Sequence, residues 1–267
     1  IRLSLVGSEM CIRDRFSTDY DWLNRLAPDG FPVPASILLS GPGGSGKPLV
    51  GLAIAASWLR QGGKVIFVPL QYPDPEYIQH DLKHLYDLEL SQYSNSYEFI
   101  RFDLSLDPSS SILRRSGQNI LDANLVSPGS WDQVILHATS MAGQSGIGTL
   151  LFASAINLLL FSGTYGQVML EYMKNLMKAD KSITCLFAVS SNVFKNEVKE
   201  LEEAADHLLY AEIDKIRGRL QVWVDHLSGA PCSSERTEAP FERPVLKALK
   251  ERSEELKVVN IPVLKAI

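Results

Sequence analysis

The sequence predicts an α/β fold: a mostly parallel central sheet with helices on both faces. Three observations carry that expectation. Short apolar runs of strand length alternate with apolar residues at helical spacing. A glycine-rich turn joins the first clear strand to the first clear helix. Finally, 267 residues with 45% hydrophobic and 21% charged side chains give a globular composition and enough chain for a large core.

The elements follow in order. Ala35–Ser40 is an apolar run that ends in Gly41-Pro42-Gly43-Gly44-Ser45-Gly46-Lys47. Leu49, Leu52, Ala53, Ala56 and Leu59 then repeat at helical spacing until Gly62-Gly63 stops the helix. Val65–Val68 reads as a buried strand, and Asp74-Pro75-Glu76 opens a helix to about Tyr86, with Asp74 as its N-cap. Phe99–Phe102 is the next strand. Asp103–Val126, rich in Ser, Pro and Asn, reads as a loop. A helix over Trp131–Met141 precedes the strand Thr149–Phe152. A second helix over Gln167–Lys178 precedes the strand Ile183–Val189. The longest apolar run, Leu150–Phe161, is broken by Ser154 and Asn157 and is too short to span a bilayer, so it reads as a buried strand entering a loop. Four glutamates in Glu197–Glu203 mark a solvated helix face. His207–Glu212 and Leu220–Val224 read as a late strand pair, and Val245–Leu256 as a closing helix. Parallel strands need crossover helices, which this alternation supplies. Residues 16–267 are expected to form one domain.

Residues 1–15 stand apart. Ser4–Arg15 resembles the translation of a sequencing adapter. Glu9 and Arg13 break any apolar run that could serve as a signal peptide, so residues 1–15 are set outside the fold as an artefact. Three cysteines in all, without paired spacing, fit a reducing compartment rather than a disulfide framework. A net charge of −5 argues against a broad basic face for nucleic acid. No transmembrane segment is legible, and a cytoplasmic protein is expected.

The strongest chemical signal is the turn itself. Gly41-x-x-x-x-Gly46-Lys47 fits seven positions of the Walker A phosphate loop, in the strand–loop–helix context that motif requires. Glycines at 41, 43, 44 and 46, with Ser45 between, let successive N–H groups turn toward phosphate oxygens. The helix N-terminus adds its positive dipole end, and Lys47 adds an ammonium. Pro48 departs from the motif. It is acceptable in a first helical turn but stands where a Ser or Thr hydroxyl binds Mg²⁺, so the Mg²⁺ site is in doubt while the phosphate cradle is kept.

Beyond this loop, the chain resembles the KaiC-like branch of the RecA-type ATPases across most of residues 18–242. Leu23, Leu26, Gly30-Phe31-Pro32 and Ser36 match that family's lead-in to the first strand. Val65–Val68 followed by Pro75-Glu76-Tyr77-Ile78 matches its second strand and helix. Glu202–Leu209 matches its late acidic segment, and Leu220, Val222 and Gly229 match the strand that ends in its basic finger. The resemblance implies a three-layer RecA-like P-loop NTPase fold, ATP or ADP as the bound nucleotide, and self-association as a homo-oligomer.

The departures fall on the chemistry. Gln71 and Tyr72 stand where the family carries paired glutamates that activate water, and an amide is no general base. Ala153, followed by Ser154, stands at the metal carboxylate of the Walker B strand. His226 and Ser228 replace the Lys and Arg of the finger. Loss of such groups costs ~10³-fold or more each in phosphoryl transfer. The reading is a nucleotide-binding pseudoenzyme with a regulatory or assembly role, either through self-association or with a protein partner. Two alternatives remain open: an Mg²⁺-dependent ATPase with rearranged ligands such as Asp103 or Glu76, and a scaffold that keeps the fold without nucleotide.

Ligands of open α/β sheets sit beyond the carboxyl ends of the strands. On that rule Gln71, Ser154 and Asn192 should line the crevice that holds Lys47, with Asn192 contacting phosphate. His80 and His84 share a helix face at i, i+4, but no third ligand is legible, so they read as a solvated face and no metal site is expected. Cys185, mid-strand among apolar neighbours, reads as inert core, and nothing near Cys232 marks it as a nucleophile.

Overall fold

The computed structural model describes residues 14–69, 75–107, 113–142, 146–154, 156–161, 165–179, 181–248 and 251. Its elements run β1 (Asp14–Phe16), α1 (Asp21–Asn24), β2 (Phe31–Val33), β3 (Ser36–Gly41), α2 (Lys47–Arg60), β4 (Lys64–Val68), α3 (Pro75–Tyr86), β5 (Tyr97–Phe102), β6 (Arg114–Gly117) and β7 (Ile120–Ala123). They continue with α4 (Pro128–Ala142), β8 (Thr149–Ala153), α5 (Ile156–Phe161), α6 (Gly166–Lys178), β9 (Thr184–Ser190), α7 (Lys195–Ala204), β10 (His207–Ile213), β11 (Leu220–Leu227) and β12 (Thr237–Glu238). Residues 243–248 are helical at the start of the expected closing helix, most of which lies outside the described residues.

Ten strands form one sheet in the order β12-β11-β10-β3-β9-β8-β4-β5-β7-β6. The seven from β10 to β7 are parallel; at the edges β11 pairs antiparallel with β10, β12 antiparallel with β11, and β6 antiparallel with β7. The parallel strands are buried on both faces, which is why they read as continuous apolar runs rather than alternating ones. Apolar side chains of α1, α2 and α3 cover one face; those of α4, α5, α6 and α7 cover the other. The result is a three-layer α/β fold, as expected. Among the described residues no helix is long and apolar enough to cross a membrane.

Three regions differ from the sequence reading. Asp103–Val126 is not all loop: β6 and β7 form a hairpin that extends the sheet edge. Its stabilising contact is Asp122, almost fully buried, which accepts from Arg101 at 2.9 Å and pairs with Arg114 at 3.3 Å. Four-residue strands held by charge carry no apolar period. The run after β8 enters the helix α5 rather than a loop, and Asn157 is buried because it bridges strands. Its amide donates to Ser154 O and Ala188 O, while its carbonyl accepts from Ser190 N at 2.8 Å. Finally, Asp14 and Arg15, within the stretch set aside, pair with Val33 and Pro32, and Arg15 donates to Gly229 O at 3.0 Å. Phe16 then packs its ring 4.6 Å from Trp58.

The segment 202–206 ties the sheet together at β3. Ser40 Oγ donates to Glu202 at 2.6 Å, and Asp206 accepts from both Ser36 N and Ser36 Oγ. Lys181 pairs with the same carboxylate at 3.0 Å. These contacts fix, at both its ends, the strand that leads into the glycine-rich turn.

One close approach positions α2. A Cβ at Gly51 would lie 2.1 Å from Phe152 Cζ, so the Phe152 ring crosses the helix where only glycine admits it. Gly51→Ala is expected to destabilise the protein by about 1 to 3 kcal/mol through overpacking, against a helix-propensity gain of about 1 kcal/mol. Gly51→Ala combined with Phe152→Leu should recover most of the loss. Chemical denaturation of the single and double variants checks this; equal losses in both would refute the packing account.

Candidate phosphate-binding site

The site is built at the carboxyl end of β3. After Ser40 the chain must turn at once into α2, and three glycines allow it. A Cβ at Gly41 would lie 2.1 Å from Ala211 O on the neighbouring β10. Gly44 and Gly46 hold φ at 73° and 80°, a left-handed conformation that glycine adopts without strain. Gly46 caps α2, and Pro48 follows in the first turn, where its missing N–H has no helical partner to serve. The hydrogen bonds that fix the loop are few: Ser45 N donates to Pro42 O at 3.2 Å, and Ser191 N donates to Gly41 O at 3.0 Å. Among the described residues the amides of Gly44, Gly46 and Lys47 have no acceptor.

Lys47 lies under this turn, 5% exposed. Its ammonium donates to Gly41 O at 2.8 Å, Pro42 O at 2.6 Å and Ser45 Oγ at 3.2 Å. Three donors thus meet three neutral oxygens, and among the described residues no carboxylate pairs with it. Burial lowers Lys47 from its ordinary value to about 7. A buried cation without a counter-ion, beside unbonded amides at a helix N-terminus, makes a receptor for an anion.

Asn192, just past β9, reaches this loop: its Oδ1 accepts from Gly43 N at 2.9 Å. The register explains the meeting, because Gly41 lies opposite Ser190. Ser154 also lies on this side of the sheet. It lines a narrow cleft with Pro48, Leu52, Phe67, Pro69, Ile78 and Phe152. Ala153 is turned the other way, into the apolar layer under α4 and α6, so the side chain that β8 presents toward Pro48 is Ser154. Strand alternation decides this, and the end of an apolar run conceals it. Gln71 and Tyr72 lie outside the described residues.

The described lining of that cleft offers one hydroxyl oxygen and no carboxylate. Mg²⁺ takes octahedral oxygen ligands and is held by one or two carboxylates with substrate phosphates, so these residues do not fit it. Asp103, a candidate replacement ligand, is occupied at the end of β5 by Ser105 Oγ at 2.6 Å and Arg114 at 3.0 Å. Glu76 is exposed at the start of α3 and has a partner. His226 and Ser228 lie at the opposite end of the sheet from the 41–47 turn, where His226 Nε2 bonds Ala205 O at 3.1 Å and Ser228 N donates to Asp206 O. A nucleotide's phosphates, by contrast, fit the residues present: they need N–H donors, glycine space and a cation, and the loop has all three.

No family model matches the chain, and no curated protein matches it by sequence. Solved structures do. The chain superposes on the KaiC-like protein PH0186 from the hyperthermophilic archaeon Pyrococcus horikoshii OT3 with a TM-score of 0.61 at 12% identity, covering 86% of this chain and 96% of that one. At that identity the likeness speaks for architecture alone. The chain has a KaiC-like, RecA-type three-layer α/β fold.

Proposed function

We propose that the chain binds ATP or ADP by its phosphates at the 41–47 loop and acts through its bound state, in a regulatory or assembly role, with weak or absent hydrolysis. One observation carries this reading: Lys47 is buried without a carboxylate partner next to loop amides that have no acceptor. A phosphate would supply the missing negative charge to both. The lack of a hydroxyl at Pro48 and of any carboxylate in the described cleft lining supports binding without efficient cleavage. On the same reading the protein works in the cytoplasm, self-associating or joining a protein partner. Cys185 and Cys232 are free thiols, and burial pushes Cys185 up to about 12, which fits an inert core residue.

Calorimetric titration with ATP and ADP, each with Mg²⁺ and with chelator, tests this directly. Binding is expected in both conditions with similar affinity, and phosphate release should stay at background. Lys47→Ala should weaken binding about ten- to a hundredfold, the range for a hydrogen bond to a charged group, with an unchanged circular-dichroism spectrum. Mg²⁺-dependent phosphate release that vanishes in Lys47→Ala would establish an ATPase instead. Absence of heat with ATP, ADP and GTP would leave only the scaffold.

The depressed Lys47 value sets a pH dependence with a definite sign. An anion in contact favours the ammonium, so binding near pH 7 and above takes up a proton, approaching one per site by about pH 8. Affinity should therefore fall by up to about tenfold per unit between pH 8 and 9, and binding heat should vary with buffer ionisation enthalpy. In the empty protein the unfolded chain binds more protons between about 7 and 10.5, so stability rises with pH across that window. Lys47→Met should remove both effects. Buffer-independent heats in the parent protein would show that Lys47 is already fully charged when empty.

A further inference from the structure

The β10–β11 hairpin stands against the glycine-rich turn and rises past it. Its two strands meet the turn at glycines: a Cβ at Gly41 would lie 2.1 Å from Ala211 O, and one at Gly46 would lie 3.0 Å from the Leu220 side chain. β10 runs parallel to β3 and pairs Tyr210 with Ser40, so Ala211 lies level with Gly41. Pairing within the hairpin continues to Ile213 and Leu220, two residues or roughly 7 Å beyond that level. Residues 214–219 then close the hairpin.

This turn is braced from within and from outside. Asp214 Oδ1 accepts from Ile216 N at 2.8 Å and from Arg217 N at 3.1 Å, and Asp214 O accepts from Gly218 N at 2.7 Å. Arg243 donates to Arg217 O through Nε at 2.9 Å and through Nη2 at 2.6 Å. At the tip, Ile216 is 91% exposed, more than any other large apolar side chain among the described residues. Asp214, Lys215, Arg217, Gly218 and Arg219 fill the other positions with polar, charged or glycine residues. Ile216 joins neither apolar cluster of the core, so its surface serves no packing role there.

Phosphates held at the 41–47 turn leave a nucleoside to be placed. Toward β9, Asn192 closes over the turn with its Oδ1 on Gly43 N. Toward β8, Phe152 and Ile78 narrow the cleft beside Pro48. On a third side stands the hairpin with its exposed tip. We infer, on the phosphate-binding reading of the 41–47 loop, that the β10–β11 turn is the nucleoside wall of that site and that Ile216 packs against the base. Apolar contact is non-directional, so Ile216 takes adenine and guanine alike and reads no hydrogen-bonding edge. A wall ordered in advance adds affinity without the cost of ordering a loop.

The experiment titrates the full-length protein with ATP, ADP, GTP and inorganic tripolyphosphate by calorimetry, all with chelator. Ile216→Ser should weaken the three nucleotides roughly three- to tenfold, the range for covering about half an isoleucine side chain. Tripolyphosphate, which has no base, should bind this variant as it binds the parent. Ile216→Leu should keep nucleotide affinity close to that of the parent, whereas Lys47→Ala should weaken nucleotides and tripolyphosphate together. Because Ile216 is exposed, thermal unfolding of its variants should match the parent. Nucleotide affinities that do not change in Ile216→Ser, or a tripolyphosphate affinity that falls equally, overturn the nucleoside wall and leave the phosphate loop standing. A parent protein that binds neither nucleotide nor tripolyphosphate removes both.

Discussion

The burial of Lys47 is the constraint on which the rest of the site depends. An ammonium removed from water costs several kcal/mol unless partners replace its hydration. Here two carbonyls and one hydroxyl do so in part. Neutral oxygens satisfy the donors but not the charge, which is why desolvation dominates the electrostatics of this group. The glycines that bring those carbonyls inward also leave other amides unbonded. Cation and amides therefore share one unmet need, which a polyanion answers on the function proposed above.

The sheet determines what else can reach that point. β3 lies between β10 and β9, so the turn at its end is bounded by Ala211 on one side and by the Ser190–Asn192 exit on the other. Next outward, β8 brings Phe152 and Ser154 to the helix that begins at Lys47. Phe152 fills the space over Gly51, and the cleft beside Pro48 is accordingly apolar. Pro48 and Phe152 together line that cleft with packing groups rather than oxygen ligands.

The hairpin at Arg114–Ala123 and the helix Ile156–Phe161 show where local pattern gives out. Each is short, and its partner is remote in sequence. Asp122 is buried only because Arg101 and Arg114 converge on it, and Asn157 only because it joins the ends of β8 and β9. Neither residue announces this in its own neighbourhood.

The sequence by itself determined the layered α/β architecture and the strand–turn–helix at 36–60, with its glycine-rich turn and the lysine that opens the helix. All of these follow from chemistry within a few consecutive residues: apolar period, glycine freedom, one lysine at a helix start. Tertiary structure alone decided that Asn192, 149 residues from Gly43 in sequence, caps its amide, that Ser154 and not Ala153 faces Pro48, and that no described carboxylate stands near Lys47. Those outcomes depend on the parity of strand register and on which distant elements pack together. Shifting a strand by a single residue exchanges its faces, and nothing in the local sequence records that choice.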